Sequence, residues 1–571
     1  MSNKTLTVAS AILAASLALS ACTKSNNNEA SPSASTSPSA TASASASDSV
    51  SHTYGNFPSV NFDLGSTRHV PYTQITKENV NDLGIVWTAD FKAIDSTIAN
   101  GNQSFPIVQD GVMYVSTSKN NVFAFDAVSG KVIWQWKPDE AFKENTKNLY
   151  IVSNRGVVVA EGKVYMLLLD NRVVSIDAKT GKTVNTTVIA DAVDGVTVDN
   201  GYYETAAPVY YNGNIYIGSS GGDNGVRGFV MAYKASDLSP AWDAPFWTVP
   251  PKGQDWLKNN KFNGGGTVWC PVTIDEETGM MYFGTGNPAP DMYGEDRPGA
   301  NPYTDSVVAL DSKTGKLIWA NQEVSHDLWD YDAASTPMLI KAQVNGAERK
   351  LVVHGGKSGE WFAWDAVTGE TFYNAVAFSK IDHPEPTKEG VLIYPGVWGG
   401  QNYAPETYDP ESNYVLIPGI ESPSFVTGYD GKPEEVTAFG TTVGETPAGI
   451  VPYGTVTAID MNTGKIAYQN KTDHEMRGGF VSTATGLAFY GELNGKIRAI
   501  EIKTGKIVWE FQADGDNIMA PPAIFTQDDK AYMAITTGGK KPKVLVFALG
   551  GDKTQGTSSE EIQHGIENGG H

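Results

Sequence analysis

The stretch VFAFDAVSGKVIWQW, Val122 to Trp136, is an apolar strand, an Asp, a Ser-Gly turn and a second strand ending on aromatic residues. The arrangement returns as VVSIDAKTGKTV from Val173, VVALDSKTGKLIW from Val307, WFAWDAVTGETFY from Trp361, VTAIDMNTGKIAY from Val456 and IRAIEIKTGKIVW from Ile497. A degraded copy, FVMAYKASDLSPAW, starts at Phe229. A repeated element of this kind sets the architecture. Its chemistry is that of a β-turn: Asp accepts turn amide hydrogen bonds, Gly takes positive φ, and the closing aromatic packs against a neighbouring sheet. Copies lie about 60 residues apart, against roughly 40–45 for a bare four-stranded blade. The excess falls around 250–305 and 376–455, and long loops on a repeat frame are where binding residues collect.

The expected fold is therefore all-β, an eight-bladed β-propeller. Seven sheets come from the copies. An eighth is predicted from pairing LGIVWTADF (Leu83 to Phe91) with KVLVFAL (Lys543 to Leu549), which joins the two ends of the domain and closes the ring without exposed edges.

Bulk composition narrows the function. The chain has 571 residues, 40% of them hydrophobic, enough for a large core or a repeat array. With 42 Lys and Arg against 64 Asp and Glu, the net charge is -22, which argues against a nucleic-acid partner. The two cysteines, Cys22 and Cys270, allow no disulfide framework, and no C-x-x-C-H occurs, so no c-type haem is attached.

Residues 1–21 read as a secretory signal with a short apolar segment, TVASAILAASLAL. It ends in LSAC, Leu19 to Cys22, which is similar to a bacterial lipobox. The resemblance implies a lipidated Cys22, hence an extracytoplasmic protein anchored to the bacterial membrane. Residues 22–53, rich in Ser, Ala, Thr and Pro, read as a disordered linker, 54–550 as the propeller and 551–571 as a disordered tail.

The turn chemistry and tryptophans of the repeat resemble the tryptophan-docking motif of quinoprotein propellers. Lipoprotein propellers of outer-membrane assembly share the repeat without a quinone, so the residues between the copies carry the functional reading. Five segments resemble the pyrroloquinoline quinone (PQQ) alcohol and glucose dehydrogenases. SNRG, Ser153 to Gly156, implies Arg155 as a clamp for the cofactor's carboxylates. ETAAPVYYNGNIYIGSSGGDNGVRG, Glu204 to Gly228, implies Thr205 and Ser220 as hydrogen-bond donors to PQQ, Gly221 and Gly222 as points of close backbone approach, and Asp223 as the metal carboxylate. NGGGTVWC, Asn263 to Cys270, implies Thr267 as a quinone contact and Trp269 as the floor under the flat ring. FGTGNPAP, Phe283 to Pro290, implies Asn287 as an amide-oxygen ligand suited to a hard cation such as Ca2+. SHDLWDYDAAS, Ser325 to Ser335, implies Asp330 as general base beside the metal and Asp332 as a second carboxylate, a spacing associated with lanthanide use. Lys357 in HGGKSGEWFAWD stands where a cation faces the quinone oxygens, and Asn402 in WGGQNYAP matches a polar quinone contact.

The resemblance implies a PQQ- and metal-dependent dehydrogenase that oxidises an alcohol or sugar hydroxyl by base-assisted hydride transfer. Its electrons would pass to a separate acceptor, a cytochrome or membrane quinone. Departures concentrate on the pocket's ceiling and substrate side. Leu149-Tyr150 replace the vicinal cysteine pair, Gln103 an early Glu, and Arg477 a tryptophan, while TTGGKKPK lacks a late tryptophan. Two alternatives stay open at this level: a quinone-free propeller hydrolase resembling tetrathionate hydrolase, and a non-catalytic scaffold propeller.

Overall fold

The computed structural model describes residues 52–553, apart from 445 and 514–516. Cys22, the signal segment, nearly all of the linker and the tail beyond 553 lie outside the described residues. The described chain forms eight sheets, each built on four antiparallel strands, plus one small three-stranded sheet. Sheets 1 to 7 follow one another along the chain as 107–136, 158–188, 209–247, 273–322, 338–377, 407–472 and 480–512. Sheet 8 joins 523–549 to Leu83–Asp90, with Leu83 opposite Leu549 and Asp90 opposite Lys543, the pairing expected from the sequence. The three-stranded sheet, Val391–Ile393, Ser424–Thr427 and Thr442–Gly444, lies in the long insertion of 376–455. Among the described residues no helix is long and apolar enough to cross a membrane.

Each repeat turn works as a socket. Its acidic residue accepts the amide three positions on, as in Asp126 with Ser129, Asp177 with Thr180 and Asp311 with Thr314. The carbonyl just after it accepts a hydrogen bond from an aromatic of the preceding sheet. Trp87 of sheet 8 donates to Ala127, Trp134 to Ala178, Trp242 to Ser312, Trp319 to Ala366, Tyr373 to Met461 and Tyr468 to Ile502, at 2.7–3.1 Å. The ring then lies flat on the turn glycine. A methyl added at Gly130, Gly181, Gly315, Gly369, Gly464 or Gly505 would fall under 3.0 Å from it, and each of these glycines has a positive φ. Glycine is thus required twice, for φ and for contact.

The degraded copy obeys the same logic. Sheet 2 ends in Thr183–Val188 without an aromatic, Tyr165 donates to Ala235 instead, and the glycine position holds a buried Leu238 at φ 61. Trp509 of sheet 7 meets Phe547 of sheet 8 at 5.7 Å, so contacts run right around the ring.

Residues 57–70 run against the innermost strands. They hydrogen-bond to Val108, Ile274, Leu339, Tyr408 and Ser482 of sheets 1, 4, 5, 6 and 7. Arg68, fully buried, donates to the carbonyls of Val60, Phe480 and Pro522. Two expected boundaries move outward: Thr53 pairs with Asp528, and Ile85 exchanges 2.8 Å backbone bonds with Asp552, so both belong to the paired framework rather than to linker and tail.

Candidate active site

Because strands alternate in direction, the segment entering a sheet and the loop between its second and third strands open at one end, and the repeat turns at the other. The chemistry-bearing residues occupy only the first kind of position. Arg155, Thr205, Trp269, Asp330, Asp332, Asn402 and Arg477 precede first strands, while Asp223, Asn287 and Lys357 follow second strands. The fold therefore delivers residues from 155 to 477 to one end of the ring.

At the centre, Lys357 Nζ lies 2.8 Å from Asp330 Oδ1 and 2.8 Å from Asp332 Oδ2. Asp332 Oδ1 accepts the backbone N–H of Asn287. Asn287 Oδ1 and Thr267 Oγ1 face the Cα of Gly222, where a methyl would lie 3.0 Å from Thr267 Oγ1 and 3.9 Å from Asn287 Oδ1. Asp327 shapes the turn that presents Asp330. Its carboxylate accepts Trp329 N–H at 3.0 Å and Tyr331 N–H at 2.9 Å, and Asp330 itself takes a left-handed φ of 66, strain of the kind stored at functional sites.

Burial governs the electrostatics. It raises the Asp330 carboxyl well above the usual range; Lys357 opposes this, and the Asp332 and Asp223 charges add to it. Asp223 keeps solvent exposure, yet the protein around it raises its pKa for the same reason, with Asp332 reinforcing and Lys357 opposing. Burial alone would depress Lys357, but Asp330 and Asp332 outweigh it and keep the ammonium charged.

A second group forms around Arg155. Its guanidinium donates to Thr205 Oγ1 at 2.7 Å and lies between two rings, 4.8 Å from the Trp269 centroid and 4.6 Å from that of Tyr403. Thr205 Oγ1 in turn meets Ser220 Oγ at 3.0 Å. Arg155 Nε is buried without a partner. Other predicted residues are engaged within the protein. At Gly221, φ 106, an added methyl would strike the Gly201 carbonyl, and Asn402 uses both amide ends on Trp398 O and Tyr403 N–H. Cys270 is a free, buried thiol whose pKa burial pushes up to about 12. Tyr150, in the missing cysteine pair's place, is 67% exposed and reaches Asn224.

The sequence reading missed Asp291 and Tyr403. Asp291 is fully buried, neither carboxylate oxygen has a partner, and the charges of Asp223, Asp330 and Asp332 reinforce the rise in pKa that burial causes. A single acidic residue in an irregular loop carries no periodic signal. Tyr403 follows Asn402 directly and was open to notice.

The segment 57–379 together with 373–533 matches the family model described as PQQ, glucose/ethanol/alcohol dehydrogenase, beta-propeller domain. The chain belongs to this family. It is 32% identical over 542 residues to quinohemoprotein alcohol dehydrogenase ADH IIB of Pseudomonas putida, covering 85% of this chain and 76% of that one. It is 30% identical over 526 residues to the quinohemoprotein alcohol dehydrogenase of Comamonas testosteroni, covering 85% and 72%. Among solved structures, the Pseudomonas putida enzyme ADHIIG superposes with a TM-score of 0.79 at 27% identity, over 88% of this chain and 82% of that one. A europium-containing methanol dehydrogenase does so with 0.75 at 25%, over 87% and 98%.

The residues present fit the family's cofactor. A buried guanidinium with an unpartnered Nε, beside the hydroxyls of Thr205 and Ser220, suits a planar molecule bearing carboxylates. The Trp269 ring offers a flat face. Asp223, Asn287, Asp330 and Asp332 supply only oxygen donors, the preference of Ca2+ and of lanthanides. Among the described residues no three acidic, His or Cys side chains close around one point. Since Ca2+ takes about 6–8 oxygens, an ion held here draws part of its shell from a bound group or water.

Proposed function

We propose that this chain is a PQQ- and metal-dependent dehydrogenase that oxidises an alcohol or sugar hydroxyl and passes the electrons to a separate carrier. The observation that carries the reading is the Asp330–Lys357–Asp332 cluster, brought to the same end of the ring as Arg155 and Trp269 in a chain of this family. Arg155, Thr205 and Ser220 would hold the cofactor's carboxylates, Trp269 and Thr267 its ring, and Asp223, Asn287, Asp330 and Asp332 the ion. Bound PQQ supplies the hydride-accepting quinone, and the ion a Lewis acid.

The chain's own residues handle the proton. Asp330 Oδ1 is taken by Lys357, which leaves Oδ2 to accept the substrate's hydroxyl proton. Lys357 opposes the rise in the Asp330 pKa that burial causes and so favours the ionised base. Its ammonium offers positive charge where negative charge develops. Release of electrons to a cytochrome or membrane quinone, and tethering outside the cytoplasm through lipid at Cys22, complete the proposal.

The test is reconstitution of the soluble chain with PQQ and either Ca2+ or La3+, followed by dye reduction with a panel of alcohols and aldoses. Turnover that needs both PQQ and a metal is expected. Failure to bind PQQ with either metal would sink the reading.

A further inference from the structure

Beneath the Lys357 turn lies a cluster of titratable groups that the reading above leaves without a task. Glu323 Oε1 meets His354 Nδ1 at 2.6 Å, His354 Nε2 donates to Ser335 O at 3.1 Å, and Glu406 Oε1 accepts Gly355 N–H at 2.6 Å. The Glu323 and His354 side chains are fully buried, and Glu406 is 3% exposed. A carbonyl opposite Nε2 requires a proton on that nitrogen, so the 2.6 Å contact at Nδ1 holds a second proton between ring and carboxylate. Glu323 Oε2 and Glu406 Oε2 have no partner. The charged groups facing Glu406 are His354 and Glu323, and Glu360 faces Glu323.

The two glycines of HGGK belong to this arrangement. Neither has a positive φ. Room explains them instead: a methyl at Gly355 would lie 2.9 Å from Glu406 Oε1 and strike Gln401 Oε1, and one at Gly356 would strike Glu323 Oε2. Glycine thus lets two buried carboxylates press onto the backbone that leads directly into Lys357.

We propose that Glu406, backed by the His354–Glu323 pair and acting through the Gly355 N–H, is a positioning residue for Lys357, and that its ionisation tightens the hold. This rests on the reading of Lys357 as the site's cation. A carboxylate accepts an N–H about twice as strongly as a neutral carboxylic acid, so the ionised form restrains Gly355, Gly356 and Lys357 more firmly. Burial places that ionisation at about 7.

The experiment is the pH profile of kcat for the reconstituted enzyme between pH 6 and 8, in the native chain and in Glu406→Gln. Glutamine keeps an acceptor for Gly355 but cannot ionise. The native chain should show a step of roughly 3–10-fold through pH 7, and the variant a profile without that step, with PQQ affinity and alcohol KM within about twofold. A variant profile that superimposes on the native rise, or a native profile with no rise, overturns the proposal. If the variant does not fold, infrared difference spectra of the native chain decide. A buried protonated-carboxyl band should vanish with the midpoint of the activity rise, and its absence overturns the proposal equally. Lys357→Met separates the two levels: full kcat in that variant refutes the reading of Lys357 itself, whereas an unchanged Glu406→Gln profile refutes only the positioning role.

Discussion

Lys357 and Asp330 are joined by a 2.8 Å contact, and the same ammonium reaches Asp332 at the same distance. One lysine thus holds two buried carboxylates that would otherwise repel each other. Removing it leaves Asp330 with burial and like charge alone, and both favour the proton. Lys357→Met should therefore fold, because Asp330 can neutralise itself, but lose the base. A fall in kcat of about 10²–10⁴ is expected at pH 7, partly recovered at higher pH as Asp330 ionises; steady-state kinetics across pH checks this.

Asp330→Asn asks the converse question. It keeps the shape and the hydrogen bond to Lys357 while removing the proton acceptor. We expect a kcat loss of about 10²–10⁴ with PQQ affinity changed little, and an unfolding midpoint at or above that of the native chain. A residue strained at φ 66 and buried at a desolvation cost spends stability for function. Dye-reduction kinetics and thermal unfolding of the same preparations separate the two effects.

Asp332 accepts from Asn287 N–H as well as from Lys357. Asp332→Asn keeps an acceptor oxygen for only one of the two partners, puts an NH2 donor in place of the other oxygen, and deletes one negative charge beside the ion's donors. Affinity for a trivalent ion should drop by more than affinity for Ca2+, with a difference of at least about tenfold, or roughly 1.4 kcal/mol. Calorimetric titration of the PQQ-loaded protein with La3+ and with Ca2+ measures it, and equal losses for both would exclude a charge-based role.

The repeat turns give a prediction about stability. A methyl at Gly181 would fall under 3.0 Å from the Trp134 ring at a φ of 69, so Gly181→Ala pays for steric overlap and for backbone strain together. A loss of about 1–3 kcal/mol is expected, read as a lower denaturation midpoint. Leu238→Gly, in the copy whose turn carbonyl takes Tyr165 and whose glycine position holds a leucine instead of lying under a ring, gains backbone freedom but loses a buried side chain. It should destabilise through packing, and an aromatic introduced in the outer strand Thr183–Val188 should then find its socket.

How much of this was legible follows from which residues repeat. Asp126, Gly130 and Trp134 recur at fixed offsets because each copy solves the same docking problem, so the sheets and even the pairing of Leu83–Asp90 with Lys543–Leu549 could be anticipated. Asp330, Lys357 and Arg155 were visible only by likeness to a family, since nothing in spacing brings residues 27 or more apart to one ring end; that follows from strand direction in the folded sheets. Asp291, Glu406 and His354 were invisible for a third reason. Their importance lies in burial, in the missing partners of Asp291 and Glu406 and in the pairing of His354 with Glu323, all of them properties of the packed structure.

Glu406 also makes a prediction for stability against pH. Burial pushes its carboxyl up to about 7 in the folded protein, against 4.5 for an ordinary glutamate. The folded state therefore holds this proton more tightly than the unfolded chain does. Its favourable contribution is full below about 4.5 and is lost as pH rises to about 7, so the ionised group weakens the fold at pH 8. The difference between 4.5 and about 7 corresponds to on the order of 3 kcal/mol. Carboxylates such as Asp139, held down to about 2 by its hydrogen bonds to Arg172, act oppositely and only at strongly acid pH. Glu406→Gln should thus raise the unfolding midpoint at pH 8 and change it much less at pH 5. Calorimetry at the two values, with and without PQQ, checks the sign. A larger gain at pH 5 would mean that Glu406 is ionised in the folded chain throughout, with His354 as its counter-charge.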